Sequence, residues 1–367
     1  MRSVNRVVLY SVGLLGSSFG LGLRQSGFKG EIIGVSSPNG VAGAVEVGAI
    51  DYGVGYGDAR EVIESCDMLI LCSPIDGITT AIREISKYNL QEGLLISDVG
   101  STKVEICRVA EESLPKGVSF IGGHPMAGSE KSGPKAGDPF LFQNAIYVLS
   151  ETKLTKDNDL QEFREFLEAS FRCRVIELDS KVHDRITATI SHVPHLVAVA
   201  MVNAADRVNS EIEGTLDLAA GGFKSLTRIA SSPYTMWNDI LKSNNSEVCD
   251  ILDIFIDELK ETRQLLVNNS LKDKFDSAAE TRKRLTVNSK GFLGPLHEIV
   301  VVAEDRPGFL AHITKLLADN KINIRDFELL KVREGEAGTI MFAFSSEDEA
   351  ESAIDLLEGS GYGARLR

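Results

Sequence analysis

Short apolar runs alternate with amphipathic stretches through the first part of the chain. Residues 4–10 (VNRVVLY) read as a buried strand, 13–26 as a helix and 31–36 (EIIGVS) as a second strand. The alternation goes on with a strand at 67–73, a helix at 77–88 and strands at 94–100 and 118–125. Such a series predicts a parallel, doubly wound α/β sheet, with its ligand crevice at the C-terminal ends of the strands. Asp98–Ser101 and Gly122–Pro125 follow strands, so both are expected to face that crevice. From Lys181 to about Leu285 the period changes to helical. VHDRITATISHVPHLVAVAMVNAADRV is one long candidate helix with a bend at Pro194. LAAGGFKSLTR is a glycine-rich break, and the stretch 239–269 reads as one amphipathic helix. Residues 286–296 read as a linker. The rest follows a β-α-β-β-α-β order. The predicted organisation is therefore an α/β domain over 1–180, an all-α domain over 181–285, the linker, and a small α+β domain over 297–367.

Composition narrows this further. A chain of 367 residues is long enough for two or three domains. Its formal net charge of −14 argues against nucleic acid or an anionic membrane as a partner, since both need a basic face. Cys66, Cys72, Cys107, Cys173 and Cys249 are odd in number, scattered and without a C-x-x-C pair. No disulfide framework or structural metal is expected from them, and reducing cytoplasm fits best. The N-terminal run Val7–Leu23 mimics a signal peptide, but its four glycines and the strand that follows mark it as folded structure. No other stretch is expected to span a bilayer.

Six segments carry candidate chemistry. In SVGLLGSSFG (11–20) the dinucleotide fingerprint G-x-G-x-x-G falls on Ser11, Gly13 and Gly16, with Leu14 and Leu15 between them. A strand–turn–helix context would set a pyrophosphate at the helix N-terminus. Ser11 departs from the first glycine. Ser36 stands where an acid usually holds the NAD ribose, which leaves both NAD and NADP open and leans to NADP. Ser73 and Pro74, after the 67–73 strand, complete the candidate cofactor contacts together with Asp98 of ISDVGSTK (96–103). In that segment Asp98 and Ser101 read equally as helix caps or as ligand contacts. His124, flanked by glycines after a strand in GGHPMAGSEKSG (122–133), is an exposed imidazole suited to general-base work, or else a turn residue. His192 and His195 of ISHVPHLVA suit an anion or the core better than a metal. Lys224 and Arg228, four apart, can share a helix face and bind a carboxylate, or form a solvated surface.

The last four of these segments, in this order, resemble the prephenate dehydrogenase family, which includes the arogenate dehydrogenases. The resemblance runs through D-V-G-S-x-K, G-G-H-P-x-A-G-S-E-K-S-G, S-H-x-P-H and G-G-F-K-x-x-T-R-I-A, and covers the chain to about residue 285. It implies a Rossmann-type dinucleotide-binding domain followed by an all-α substrate and dimerisation domain. It also implies an oxidative decarboxylation: prephenate loses hydride and carbon dioxide and becomes 4-hydroxyphenylpyruvate, a step of tyrosine biosynthesis. By the match, His124 takes the ring hydroxyl proton and Ser101 orients that hydroxyl. Arg228 holds a substrate carboxylate and His195 contacts the side-chain end, with Lys224, Ser129 and Glu130 near the pocket mouth. NAD or NADP is the implied cofactor, without a metal, and a homodimer the implied assembly.

DRPGFLAHIT and KINIRDFEL in the last unit resemble an ACT domain, a ferredoxin-like module. This implies feedback inhibition by tyrosine, with Gly308 and Asn323 as the regulatory positions, or a unit that only dimerises. Three other readings stand beside the main one. An arogenate dehydrogenase would make tyrosine directly, and a non-catalytic nucleotide and amino-acid sensor would lack turnover. A hydroxyacid-type dehydrogenase would leave the G-G-H-P and S-H-x-P-H pair unexplained.

Overall fold

A computed structural model describes residues 4–128, 131–156, 158–288, 296–303, 306–331 and 338–367. The chain divides into two compact units, Met1–Gln264 and Leu265–Arg367.

The first unit is built on an eight-stranded sheet: β1 (Arg6–Tyr10), β2 (Glu31–Val35), β3 (Tyr52–Val54), β4 (Met68–Leu71), β5 (Leu95–Asp98), β6 (Ser119–Pro125), β7 (Ile146–Ser150) and β8 (Arg174–Glu177). Their order is β3-β2-β1-β4-β5-β6-β7-β8. The first six pair in parallel, and β1 and β4 lie side by side at the centre. Helices α1 (Leu14–Gln25), α2 (Pro38–Glu46), α3 (Ala59–Glu64), α4 (Ile75–Ile85), α5 (Val104–Ser113) and α6 (Asp159–Phe171) cover it. Side chains alternate across each strand, which sorts them into two cores. Val7, Leu9, Ile32, Met68 and Ile70 pack with Phe19 of α1 and with Phe163 and Phe166 of α6 on one face. Val8, Ile33, Leu69 and Leu71 pack with α3, α4 and α5 on the other. Helix α4 shows why: Ile75, Ile78, Ile82 and Ile85 recur at helical spacing and are all buried. Each such burial is worth roughly 1.5–3 kcal/mol.

The expected parallel, doubly wound sheet is present, with strands β3, β7 and β8 in addition to those the pattern predicts. The chain after β6 reverses, so β7 runs antiparallel to it and β8 parallel to β7. Strand β6 is thereby flanked on both sides, and its C-terminal end is held in the interior.

The helical part begins with α7 (Ser180–Thr187), a π-helical turn (Ala188–His192) and α8 (Val193–Glu211). The irregularity lies just before Pro194, not at it. Proline lacks an N–H and crowds the carbonyl four residues back, and the wider turn relieves both. Short helical turns and α9 (Gly221–Thr227) follow. The single helix expected over 239–269 is two, α10 (Tyr234–Ser243) and α11 (Asn245–Val267). The break falls at Asn244, whose buried amide donates to the Asp184 carbonyl instead of serving a surface helix. A further correction concerns Ser180–Glu211, which by length and hydropathy is apolar enough to cross a bilayer. It nevertheless buries His183, Asp184 and His192, polar groups whose partners lie elsewhere in this unit.

In the second unit, α12 (Lys272–Asn288) takes in residues 286–288, which the pattern assigns to the linker. Strands β9 (His297–Ala303), β10 (Asp326–Lys331), β11 (Gly338–Phe344) and β12 (Ala364–Leu366) form an antiparallel sheet of order β10-β11-β9-β12. Helices α13 (Phe309–Asp319) and α14 (Glu347–Gly359) close one core over Ile299, Val301, Ile340, Phe342 and Phe344. This is the β-α-β-β-α-β unit read from the pattern.

Candidate active site

The strand ends converge on a cavity of about 610 Å³, within the range of small-molecule sites. Leu14 and Leu15 from α1 and Ser73 and Pro74 after β4 line one side. Gly100, Ser101 and His124 line the floor, and Ser191, His192 and Trp237 the helical wall.

The fingerprint turn holds its shape despite the missing glycine. Ser11 takes a left-handed backbone with φ +74°, a conformation glycine adopts without strain. Its N–H donates to the Val35 carbonyl, and its hydroxyl meets those of Ser73 and Tyr56. Gly16 is obligatory for packing, because a Cβ there would stand 2.4 Å from the Ser11 carbonyl oxygen. At Gly13 a Cβ would meet nothing within 4 Å, and no side chain caps α1. The first-turn N–H groups of α1 therefore border open space, which suits a pyrophosphate.

Two candidate cofactor residues lie inside the fold. Asp98 does not face the crevice with its carboxylate. The side chain is wholly buried, ion-paired with the equally buried Lys103, and accepts the N–H groups of Gly100 (2.8 Å) and Gly123 (3.0 Å). Ser36 is buried too, and its hydroxyl sits against Gly40, where a Cβ would lie 2.5 Å away. Its neighbour Ser37 caps α2 through Gly40 N–H.

His124 leaves β6 at the cavity floor. Its Nδ1 lies 2.8 Å from His183 Nε2, and His183 Nδ1 lies 2.7 Å from Asp184 Oδ1. Asp184 also accepts the N–H groups of Lys103 (2.7 Å) and Val104 (2.9 Å) at the start of α5. A carboxylate so placed can only accept, so the proton between it and His183 belongs to His183 Nδ1. In the neutral ring Nε2 then accepts from His124 Nδ1–H, leaving His124 Nε2 as a lone pair. Burial first, then electrostatic coupling to His183, Lys103 and His192, pushes the His124 imidazole well below the usual histidine range. Burial likewise brings His192 down to about 4, and its Nδ1 accepts from Asn244 at 3.2 Å.

His195 is buried and stacks on Trp237, with ring centroids 3.8 Å apart and planes 19° from parallel. Burial lowers its pKa as well. His195 thus backs the indole that lines the cavity. Lys224 and Arg228 are placed on the short helices 221–231 and are not in the cavity lining of this chain. Ser129 and Glu130 lie outside the described residues. In the second unit, Gly308 precedes α13 with φ +84°, and Asn323 lies in the segment between α13 and β10. His183, Asp184 and Trp237 do not stand out in the sequence as site residues. The signals available are the H-D pair at a helix start and the chain's one tryptophan.

A dinucleotide turn opening beside a neutral imidazole defines an oxidoreductase that uses a nicotinamide cofactor. Residues 19–176 match the family model of the prephenate dehydrogenase nucleotide-binding domain, and 179–278 that of the prephenate dehydrogenase dimerization domain. Residues 297–355 match the ACT domain. The chain is 31% identical to the prephenate dehydrogenase of Bacillus subtilis (strain 168), over 96% of this chain and 95% of that one. It is 32% identical to that of Lactococcus lactis subsp. cremoris (strain MG1363), over 97% and 98%. The solved prephenate dehydrogenase of A. aeolicus, in complex with hydroxyphenyl propionate and NAD+, superposes with a TM-score of 0.70 at 31% identity, covering 77% of this chain and 97% of that one. Synechocystis arogenate dehydrogenase gives 0.65 at 25% identity, covering 76% and 98%. This chain belongs to the prephenate dehydrogenase family.

The depressed His192 pKa makes stability depend on pH. As pH falls, the unfolded chain protonates this residue near the ordinary value of 6.5, while the folded chain resists until about 4. Its contribution is thus full above the unfolded value and is lost as pH drops from 6.5 toward 4. The upper limit is about 3 kcal/mol. Urea unfolding at pH 7 and pH 5 should show a smaller loss of stability in His192→Gln than in the parent. Equal losses would show that His192 does not carry the effect.

Proposed function

We propose that this chain converts prephenate to 4-hydroxyphenylpyruvate by oxidative decarboxylation, with His124 as the base that takes the ring hydroxyl proton. The observation that carries this is the placement of His124 at the cavity floor, tied through Nδ1 to His183 and Asp184 so that Nε2 is left to accept. The open, uncapped α1 N-terminus at Gly13, with Leu14, Leu15, Ser73 and Pro74 beside it, fits the pyrophosphate end of a dinucleotide. When bound, the nicotinamide supplies the hydride acceptor. With no carboxylate at the end of β2 to repel a 2′-phosphate, NADP is accepted as well as NAD.

Ser101, in the same lining, orients the substrate hydroxyl toward His124. His183 and Asp184 hold the imidazole and stabilise the positive charge it gains. Trp237, braced by His195, packs against the substrate. The family resemblance assigns a substrate carboxylate to Arg228 and Lys224, which in this chain are exposed and lie outside the cavity lining. Location in the cytoplasm agrees with five free cysteines, four of them buried. A second reading, arogenate as substrate, draws on the likeness to Synechocystis arogenate dehydrogenase.

The test offers prephenate or arogenate with NAD or NADP and follows reduced nicotinamide. Prephenate should turn over, and His124→Asn should lower kcat by about 10²–10⁴-fold. Because the His124 imidazole stays neutral well below the usual range, kcat/KM should persist as pH falls through the ordinary histidine range and drop only further down. Near-parental turnover in His124→Asn would remove the base assignment. Turnover with arogenate alone would establish the second reading.

We further propose that two copies of the chain associate through the helical part. The match to a dimerization domain supports this, as do exposed Ile212, Leu218, Leu226 and Leu259. Sedimentation should give twice the 39.8 kDa chain mass, and a monomer at assay concentration would refute it. Tyrosine is the proposed effector at the ACT unit, near Gly308 and Asn323. Calorimetry on the full chain should detect its binding, weakened in Gly308→Val. Absence of tyrosine binding to the parent would end that proposal.

A further inference from the structure

Behind the cavity floor lies a feature the proposed reaction does not use directly. Asp98 and Lys103 form an ion pair in which both side chains have zero exposure. Three glycines make room for it. A Cβ on Gly122 would lie 3.2 Å from Lys103 Cδ and 2.8 Å from Cys107 Sγ. One on Gly100 would lie 2.9 Å from Asp98 Oδ2, and one on Gly123 2.3 Å from the Asp98 carbonyl oxygen. Stability alone does not account for this arrangement. A buried ion pair surrenders about as much in desolvation as it gains in attraction, and apolar replacements of equal volume do as well or better.

Its hydrogen bonds point to what it is for. Asp98 Oδ2 accepts from Gly100 N–H, the residue before Ser101. Asp98 Oδ1 accepts from Gly123 N–H, and Lys103 Nζ donates to the Gly123 carbonyl at 2.6 Å. Gly123 is the residue before His124, so both its backbone polar groups are taken by the pair. We propose that the Asp98–Lys103 pair is a positioning device that hangs Ser101 and His124 from one fixed point and sets a cationic charge behind the His124 imidazole. The proposal rests on the reading of His124 as base.

Among the described residues, His183 with Asp184 from α7, His192 from the π turn and Lys103 from behind act on His124, and Lys131 and Asp239 line the same cavity. Of these, Lys103 opposes protonation of the ring through its charge. Removing that charge should therefore let His124 protonate at higher pH, whereas a change confined to the fold would leave its titration in place.

The test compares Lys103→Met and Lys103→Arg in the full chain. Two readouts are used: histidine titration by NMR in the folded protein, and the acid limb of kcat/KM. In Lys103→Met both should move upward together by roughly half a pH unit or more, with kcat reduced. Lys103→Arg, which keeps the charge, should hold the His124 titration near its parental position. A folded Lys103→Met with lower kcat but an unmoved His124 titration would reduce the pair to a packing feature. If Lys103→Met does not fold, Asp98→Asn combined with Lys103→Met leaves no unpaired charge buried, and the same shift is expected. Failure of that pair to fold would make the ion pair a requirement of the fold and overturn the proposal. The NMR readout does not need turnover, so it stands even if His124→Asn shows the base to be another group.

Discussion

The carboxylate of Asp184 is the joint on which the site depends. It belongs to the first helix of the helical part, yet both its oxygens are spent on the start of α5, at Lys103 and Val104 N–H, and on His183. Its own carbonyl receives Asn244 from the break between α10 and α11. One buried residue therefore fixes the sheet's C-terminal edge, the helix bearing His183 and the helix bearing Trp237 in a single geometry. A carboxylate with so little exposure is costly unless its lone pairs are used, and here the donors are fixed backbone groups at a helix start, where negative charge is favoured. The arrangement thereby fixes a proton position as well as a shape, and the orientation of His124 follows from it.

The parts of this molecule legible in the sequence are those encoded by neighbours in the chain. The first strand, its turn and α1 follow from a contiguous motif, and Ser101 and His124 are reachable because strand ends in such sheets face a crevice. Residues defined by distant partners are not. Asp98 has the composition of a cap or ligand contact, and only the fold shows Lys103 returning to it beneath Gly122 and Gly123. His183 looks like any polar residue in a first helical turn until β6 brings His124 to it. The β7 and β8 strands depend on a reversal after β6 that no local periodicity announces. Lys224 and Arg228 share a short helical stretch as their spacing requires, but spacing says nothing about which way that stretch faces.

Ser11 shows the same limit from the other side. A serine in the left-handed region costs on the order of 1 kcal/mol against glycine, which from sequence counts against the fingerprint. The fold holds it there with a backbone hydrogen bond to Val35 and hydroxyl contacts to Ser73 and Tyr56. Tertiary contacts replace what the glycine would have supplied by freedom alone, and the turn keeps the same open helix N-terminus.

The chemistry of the site and its stability draw on one physical effect with opposite consequences. Burial holds His124, His192 and His195 toward the neutral form, which a proton acceptor requires. The same desolvation means that the unfolded chain takes up protons before the folded one does as pH falls. The two consequences do not arrive together. Loss of stability begins where ordinary histidines titrate, because that is where the unfolded state gains its advantage. Protonation of His124 in the folded state comes only well below that. Between the two lies a pH interval in which the folded chain has lost stability but still holds its base neutral. A site that secures its base by burying histidines thus gives up part of its stability in acid before it gives up the base.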